Sequence, residues 1–149
     1  MTLRWTRRLR RSSISEVAVA DDDPDCLLWF VAVDNRQREW PVYIAHPDEC
    51  DGLMGFTDGL VTPGAAEPRS QRRILINAAY SLASQDKTLL HELAHASADG
   101  NVFSEYAEEE FVRLIERPLH AILRKHGHLR WPRRPRGTAA LMKRSKGKR

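Results

Sequence analysis

Hydrophobic positions fall into blocks whose spacing predicts a few short strands followed by two helices. Cys26–Val33 (CLLWFVAV) is an unbroken apolar run rich in Val, Leu and aromatics, bounded by Asp-rich and polar segments, and predicts a buried strand. Residues 40–45 (WPVYIA) predict a second, with Pro41 marking an edge position or a strand start. Residues 34–39 between them suit a hairpin loop, so this pair is expected to be antiparallel. Residues 51–72 carry Gly52, Gly55, Gly59, Pro63, Gly64 and Pro68 and predict a long loop, closed by a short strand at 74–77 (ILIN).

The period then changes. From about Asp86, Leu89, Leu90, Leu93, Ala94 and Ala96 recur at helical spacing, with Ser84 or Asp86 available as cap and Asp99, Gly100 and Asn101 as the stop. A second helix is expected from near Ser104 to about His126, ended by Gly127, with Pro118 predicting a kink. Its apolar members are Phe111, Val112, Leu114, Ile115, Leu119, Ile122 and Leu123.

Composition sets the limits. The chain has 149 residues, 42% hydrophobic and 30% charged, which fits one globular domain and excludes wholesale disorder. The longest apolar run, Cys26–Val33, is far short of a bilayer span. Thr6, Arg7 and Arg8 resemble a twin-arginine signal and Ala18, Val19 and Ala20 a cleavage site, but the residues between are polar and charged where a signal needs an apolar stretch. A cytoplasmic location is expected. Cys26 and Cys50 form neither a disulfide framework nor a CxxC pair and are expected to be reduced thiols.

The formal net charge of +4 is unevenly spread. Residues 1–11 hold five Arg and no acid, and residues 124–149 hold eleven Lys or Arg and no acid. Residues 12–123 hold all 20 acids. The expected layout is a basic arm at 1–14, a folded body at 15–128 and a basic, Pro-punctuated tail without fixed structure at 129–149. Such tails are an electrostatic footprint for polyanions, and Trp131 among Arg130, Arg133 and Arg134 could stack on bases. Any nucleic-acid binding is expected to be non-specific and salt-sensitive.

One motif carries specific chemistry. His91-Glu92-Leu93-Ala94-His95 is an HExxH sequence inside the first predicted helix. Residues four apart on a helix share a face, so both imidazoles can grip one Zn²⁺, while Glu92 can act as general base toward water. A hydrolytic zinc site needs a third protein ligand and an open position. The longer HExxHxxGxxH pattern fails, because Ala98 stands for its glycine and Asn101 for its last histidine. The second helix offers Glu105, Glu108, Glu109 and Glu110. With Phe111 at the origin of a helical wheel, Glu108 falls at about 60°, in the apolar stripe. Glu105 lies near 120° on the stripe's rim, Glu109 near 160°, and Glu110 near 260° toward water. Glu108 is the chosen third ligand, with Glu105 and Glu109 as alternatives. Asp99 is read first as part of the helix stop and second as a residue orienting His95. Tyr80 and Tyr106 could polarise a carbonyl, and His120, near 180°, is expected in water.

The stretch from Thr88 to Ala96 followed by a Glu-rich helix resembles the gluzincin metallopeptidases, in particular the minimal single-domain forms of phages, prophages and bacterial genomes. The resemblance spans roughly residues 74–126, with a shorter connection between the helices than in the larger gluzincins. It implies a strand before the HExxH helix, a glutamate on the next helix completing the zinc site, and residues 74–77 as an edge strand pairing with extended substrate. The expectation is therefore a small, zincin-like α+β fold: an antiparallel sheet of about three strands packed on two main helices. Its activity would be hydrolysis of a peptide or protein substrate. The alternative is a nucleic-acid-associated phage or chromosomal protein with a structural or vestigial zinc site.

Overall fold

The computed structural model describes residues 23–60, 71–99, 105–127 and 130–143. The expected basic arm at 1–14 and residues 144–149 lie outside them. The fold is α+β. Strands β1 (Cys26–Val33), β2 (Glu39–Ala45), β3 (Gly55–Asp58) and β4 (Arg73–Asn77) form one sheet in the order β1-β2-β4-β3. Helices α1 (Leu82–Ala98), α2 (Glu105–Lys125) and the short α3 (Thr138–Leu141) complete the described elements.

The hairpin forms as expected, with β1 antiparallel to β2. Asp34 builds its turn: Oδ1 accepts the backbone N–H of Arg36 at 2.8 Å and of Arg38 at 3.0 Å, leaving Gln37 to take a positive φ of 62°. Two expectations about the sheet are corrected. It has four strands, because β3 lies inside the segment read as a loop, and it is mixed, because β2 and β4 run parallel. A four-residue strand with one Gly and one Asp carries too little pattern to be seen in sequence; pairing with β4 makes it.

Alternation along the central strands gives two apolar faces. Val42, Ile44, Ile74 and Ile76 pack with Trp29, Trp40, Leu89, Ala96 and Leu141. Tyr43, Ala45 and Leu75 face the other way and pack with Cys50, on the 3-10 turn Pro47–Cys50. β1 is an edge strand, so Leu28, Val31 and Val33 stay partly exposed despite the continuous apolar run. No helix among the described residues is long and apolar enough to cross a membrane.

The expectation that the C-terminal tail lacks fixed structure is also corrected. Residues 130–143 strap across the body. The Trp29 indole donates to the Pro132 carbonyl at 2.8 Å, Trp131 stacks on Phe30, and Leu141 is 2% exposed within the core. Arg134 binds Gln85 Oε1 at 3.1 Å and Asp86 Oδ1 at 3.2 Å, with its guanidinium over Trp29. Trp131 and Arg134 thus serve the fold.

Candidate metal centre

Helix α1 begins earlier than the apolar spacing predicts, because the Ser81 hydroxyl accepts the N–H of Ser84 and caps it. Gln85, Thr88, Leu89, Glu92 and Ala96 form its buried face. His91 and His95 lie about 60–100° round from Glu92, on the side that meets α2. Their Nε2 atoms are 3.1 Å apart. Glu109 Oε2 approaches both, at 3.0 Å from His95 Nε2 and 3.7 Å from His91 Nε2.

The carboxylate grouped with the two Nε2 atoms is thus Glu109, one of the alternatives, and not the chosen Glu108. Glu108 Oε1 sits 2.7 Å from Nδ1 of His95, on the far side of the ring from Glu109. Glu116 Oε2 plays the same part for His91, at 2.6 Å from Nδ1. The cause is the rotation of α2. Its inward face is built of Glu109, Val112, Glu116 and His120, with Val112 and His120 buried, whereas Leu114 and Ile122 point outward. The wheel assumed that the apolar stripe faces the core. That core is already closed by α1 and the C-terminal strap, so α2 meets the histidine-bearing side of α1, and carboxylates serve that contact. His120, expected in water, is buried by the same rotation. The side chains of Glu105 and Tyr106 lie outside the described residues.

The hydrogen bonds fix the chemistry. An ionised carboxylate only accepts, so Nδ1 of each histidine carries its proton toward Glu108 or Glu116. Both Nε2 lone pairs then aim at the space that Glu109 also faces. Burial alone would raise the Glu109 carboxyl, but the hydrogen bond from Arg113 and the neighbouring imidazoles outweigh it and hold Glu109 below the ordinary carboxylate range. Three acceptors converging on one point repel each other unless a cation lies between them. Ligand atoms about 2.0–2.2 Å from a tetrahedral zinc would stand about 3.3–3.5 Å apart. The observed separations of 3.1, 3.0 and 3.7 Å bracket that value. His91, His95 and Glu109 could therefore hold a metal ion.

Glu92 is placed differently from the three. It is 6% exposed, and its Oε2 accepts the hydroxyl of Thr57 on β3 at 2.8 Å. Burial pushes its carboxyl upward, against the Thr57 hydrogen bond and the attraction of the two histidines. Gly55 makes this approach of β3 to α1 feasible, since a Cβ there would stand 2.7 Å from Thr88 Cγ2 and 2.7 Å from the Leu75 carbonyl oxygen.

Comparison with protein-family models, with curated proteins and with solved structures finds no match.

Sequence reasoning finds His91, Glu92 and His95 but misses Glu116, Thr57 and Arg113. Glu116 is seven residues after Glu109, a helical repeat that could have signalled it; Thr57 sits in a segment with no strand pattern. Asp99 caps the end of α1 and takes Arg38 Nη1 on Oδ2 at 2.6 Å, so its carboxylate is committed to the β1–β2 hairpin. Tyr80 is 37% exposed. Residues 74–77, expected at an edge, lie inside the sheet between β2 and β3; the edge strand beside α1 is β3. Both cysteines are free thiols. Asp23, Cys26 and Glu49 form a second group that could hold a metal, where burial and then Asp23 and Glu49 push the Cys26 thiol up to about 12.

Proposed function

We propose that the chain is a zinc-dependent hydrolase acting on peptide bonds, with a zincin-like arrangement of HExxH helix, acidic partner helix and edge strand. The observation that carries this reading is the convergence of two Nδ1-anchored histidines and one ionised carboxylate on a single point. His91, His95 and Glu109 would be the ligands, a set of three that leaves one position for water or substrate. Bound there, zinc would supply Lewis acidity, acidifying water and polarising a carbonyl. Glu108 and Glu116 keep each imidazole in the tautomer and orientation that ligation requires. Glu92, one residue from His91 and held by Thr57, would accept a proton from water and return it to the leaving amine. Strand β3, at the edge of the sheet among the described residues, would offer an extended peptide a strand to pair with.

The deciding experiment combines zinc analysis with hydrolysis of a mixed peptide pool. The wild-type chain is expected to carry about one zinc and cleave peptides, and Glu92→Gln to keep the zinc and lose cleavage. Absence of zinc binding, or full activity in Glu92→Gln, overturns the proposal.

A further inference from the structure

The rotation that turns the glutamates of α2 toward the histidines buries Val112 but leaves the rest of the helix's apolar surface facing outward. Leu114 is 74% exposed and Ile122 57%, and Pro118 and Ala121 are exposed beside them. Along this side Ala107, Phe111, Leu114, Pro118, Ala121 and Lys125 succeed one another at alternating intervals of four and three, the seam of a two-helix coiled coil. Ile115 and Ile122 widen it on one flank. Glu110, Arg117 and Arg124 recur every seventh residue along the other.

We propose that this seam is the interface of a homodimer, in which α2 of one copy packs antiparallel on α2 of a second about a two-fold axis near Arg117. The flanking charges choose both occupant and direction. In an antiparallel pair, Glu110 of each copy meets Arg124 of the other, giving two ion pairs by symmetry. In a parallel pair the same flank faces Ile115 and Ile122, and neither charge finds a partner. The arginines of residues 1–11 bring the wrong sign to Arg117 and Arg124, so that segment fits the flank poorly. At the axis the two copies of Arg117 repel each other, which keeps the association reversible. The interface lies on the opposite side of α2 from Glu109 and Glu116, so it stands or falls independently of the proposed activity.

Sedimentation equilibrium of the full chain over the micromolar range tests this. The expected result is a reversible monomer–dimer equilibrium. Leu114→Asp should give monomer alone with unchanged circular dichroism and Tm, since that side chain touches little of its own fold. Arg124→Glu should weaken the dimer about tenfold, and adding Glu110→Arg should restore it. Arg117→Gln should tighten it. A chain that stays monomeric overturns the proposal; if Leu114→Asp then also lowers Tm, the stripe is covered by the chain's own terminal segment. A dimer indifferent to Leu114→Asp and to the charge swap uses another face and overturns it equally.

Discussion

Glu116 holds His91 by its Nδ1 at 2.6 Å, on the side of the ring away from His95. Because the imidazole transmits this contact to its other nitrogen, Glu116 and Glu108 should tune metal affinity without touching the metal. Replacing either with Gln is expected to weaken zinc about 10–100-fold, and Glu109→Ala to weaken it by more. Competition against a chromophoric chelator measures all three. Equal losses for Glu108→Ala and Glu109→Ala would mean that Glu108 is itself a ligand.

Glu92 makes a prediction about the metal-free protein. Its folded-state pKa is raised, chiefly by burial, so the folded state holds this proton more tightly than the unfolded one. Stability is therefore lost as pH rises from the ordinary glutamate range through the folded value. Removing the charge in Glu92→Gln should make the metal-free chain more resistant to urea at neutral pH, with the gain vanishing in acid. A neutral-pH loss in the variant would show that the carboxylate is stabilising where it stands.

Asp34 behaves in the opposite sense. Burial would raise its carboxyl, but hydrogen bonds from the Arg38 backbone, the Trp40 indole, the Arg38 guanidinium and the Arg36 backbone pull it below its usual value. A depressed carboxylate contributes stability above the unfolded pKa and loses it as pH falls through the folded one. The same guanidinium bridges to Asp99, whose side chain is 1% exposed. Arg38→Ala would remove the shared guanidinium from two buried carboxylates, while Asp34 keeps its backbone and Trp40 donors, and is expected to cost about 1.5–3 kcal/mol at neutral pH, with a smaller cost in strong acid. Urea melts at the two pH values decide it.

The C-terminal strap should matter to stability. Leu141→Ala removes a side chain that is 2% exposed and should cost about 2–5 kcal/mol. Ending the chain before residue 130 should lower Tm further, because Trp29, Phe30, Gln85 and Asp86 lose their contacts with Pro132, Trp131 and Arg134 together. A truncated chain melting with the wild type would show that these contacts carry no stability.

Sequence pattern was informative where periodicity is enforced by burial on a known side. The β1–β2 hairpin, both long helices and the His91–Glu92–His95 constellation follow from local spacing and turn chemistry. What failed was long-range. β3 exists because β4 pairs with it, and residues 130–143 are ordered by contacts with β1 and α1 that a run of prolines and arginines does not announce. An apolar stripe ordinarily marks the buried side of a helix, and on α2 that rule points to Glu108. On α2 the side that meets α1 is acidic, since what it meets is a pair of imidazoles, and a hydrophobic wheel cannot register that demand.

The strap also orders events in time. Trp29 and Pro132 are bonded across 103 positions of chain, and Leu141 enters a core whose other members all precede residue 97. On the ribosome, the sheet and α1 emerge well before the last piece of that core, so a nascent chain must wait with one apolar face of β1 uncovered. Closing so long a loop is entropically slow compared with zipping the hairpin. Completion of this fold thus waits for residues 130–141 to emerge, and a chain stalled before them is left with an open, aggregation-prone edge.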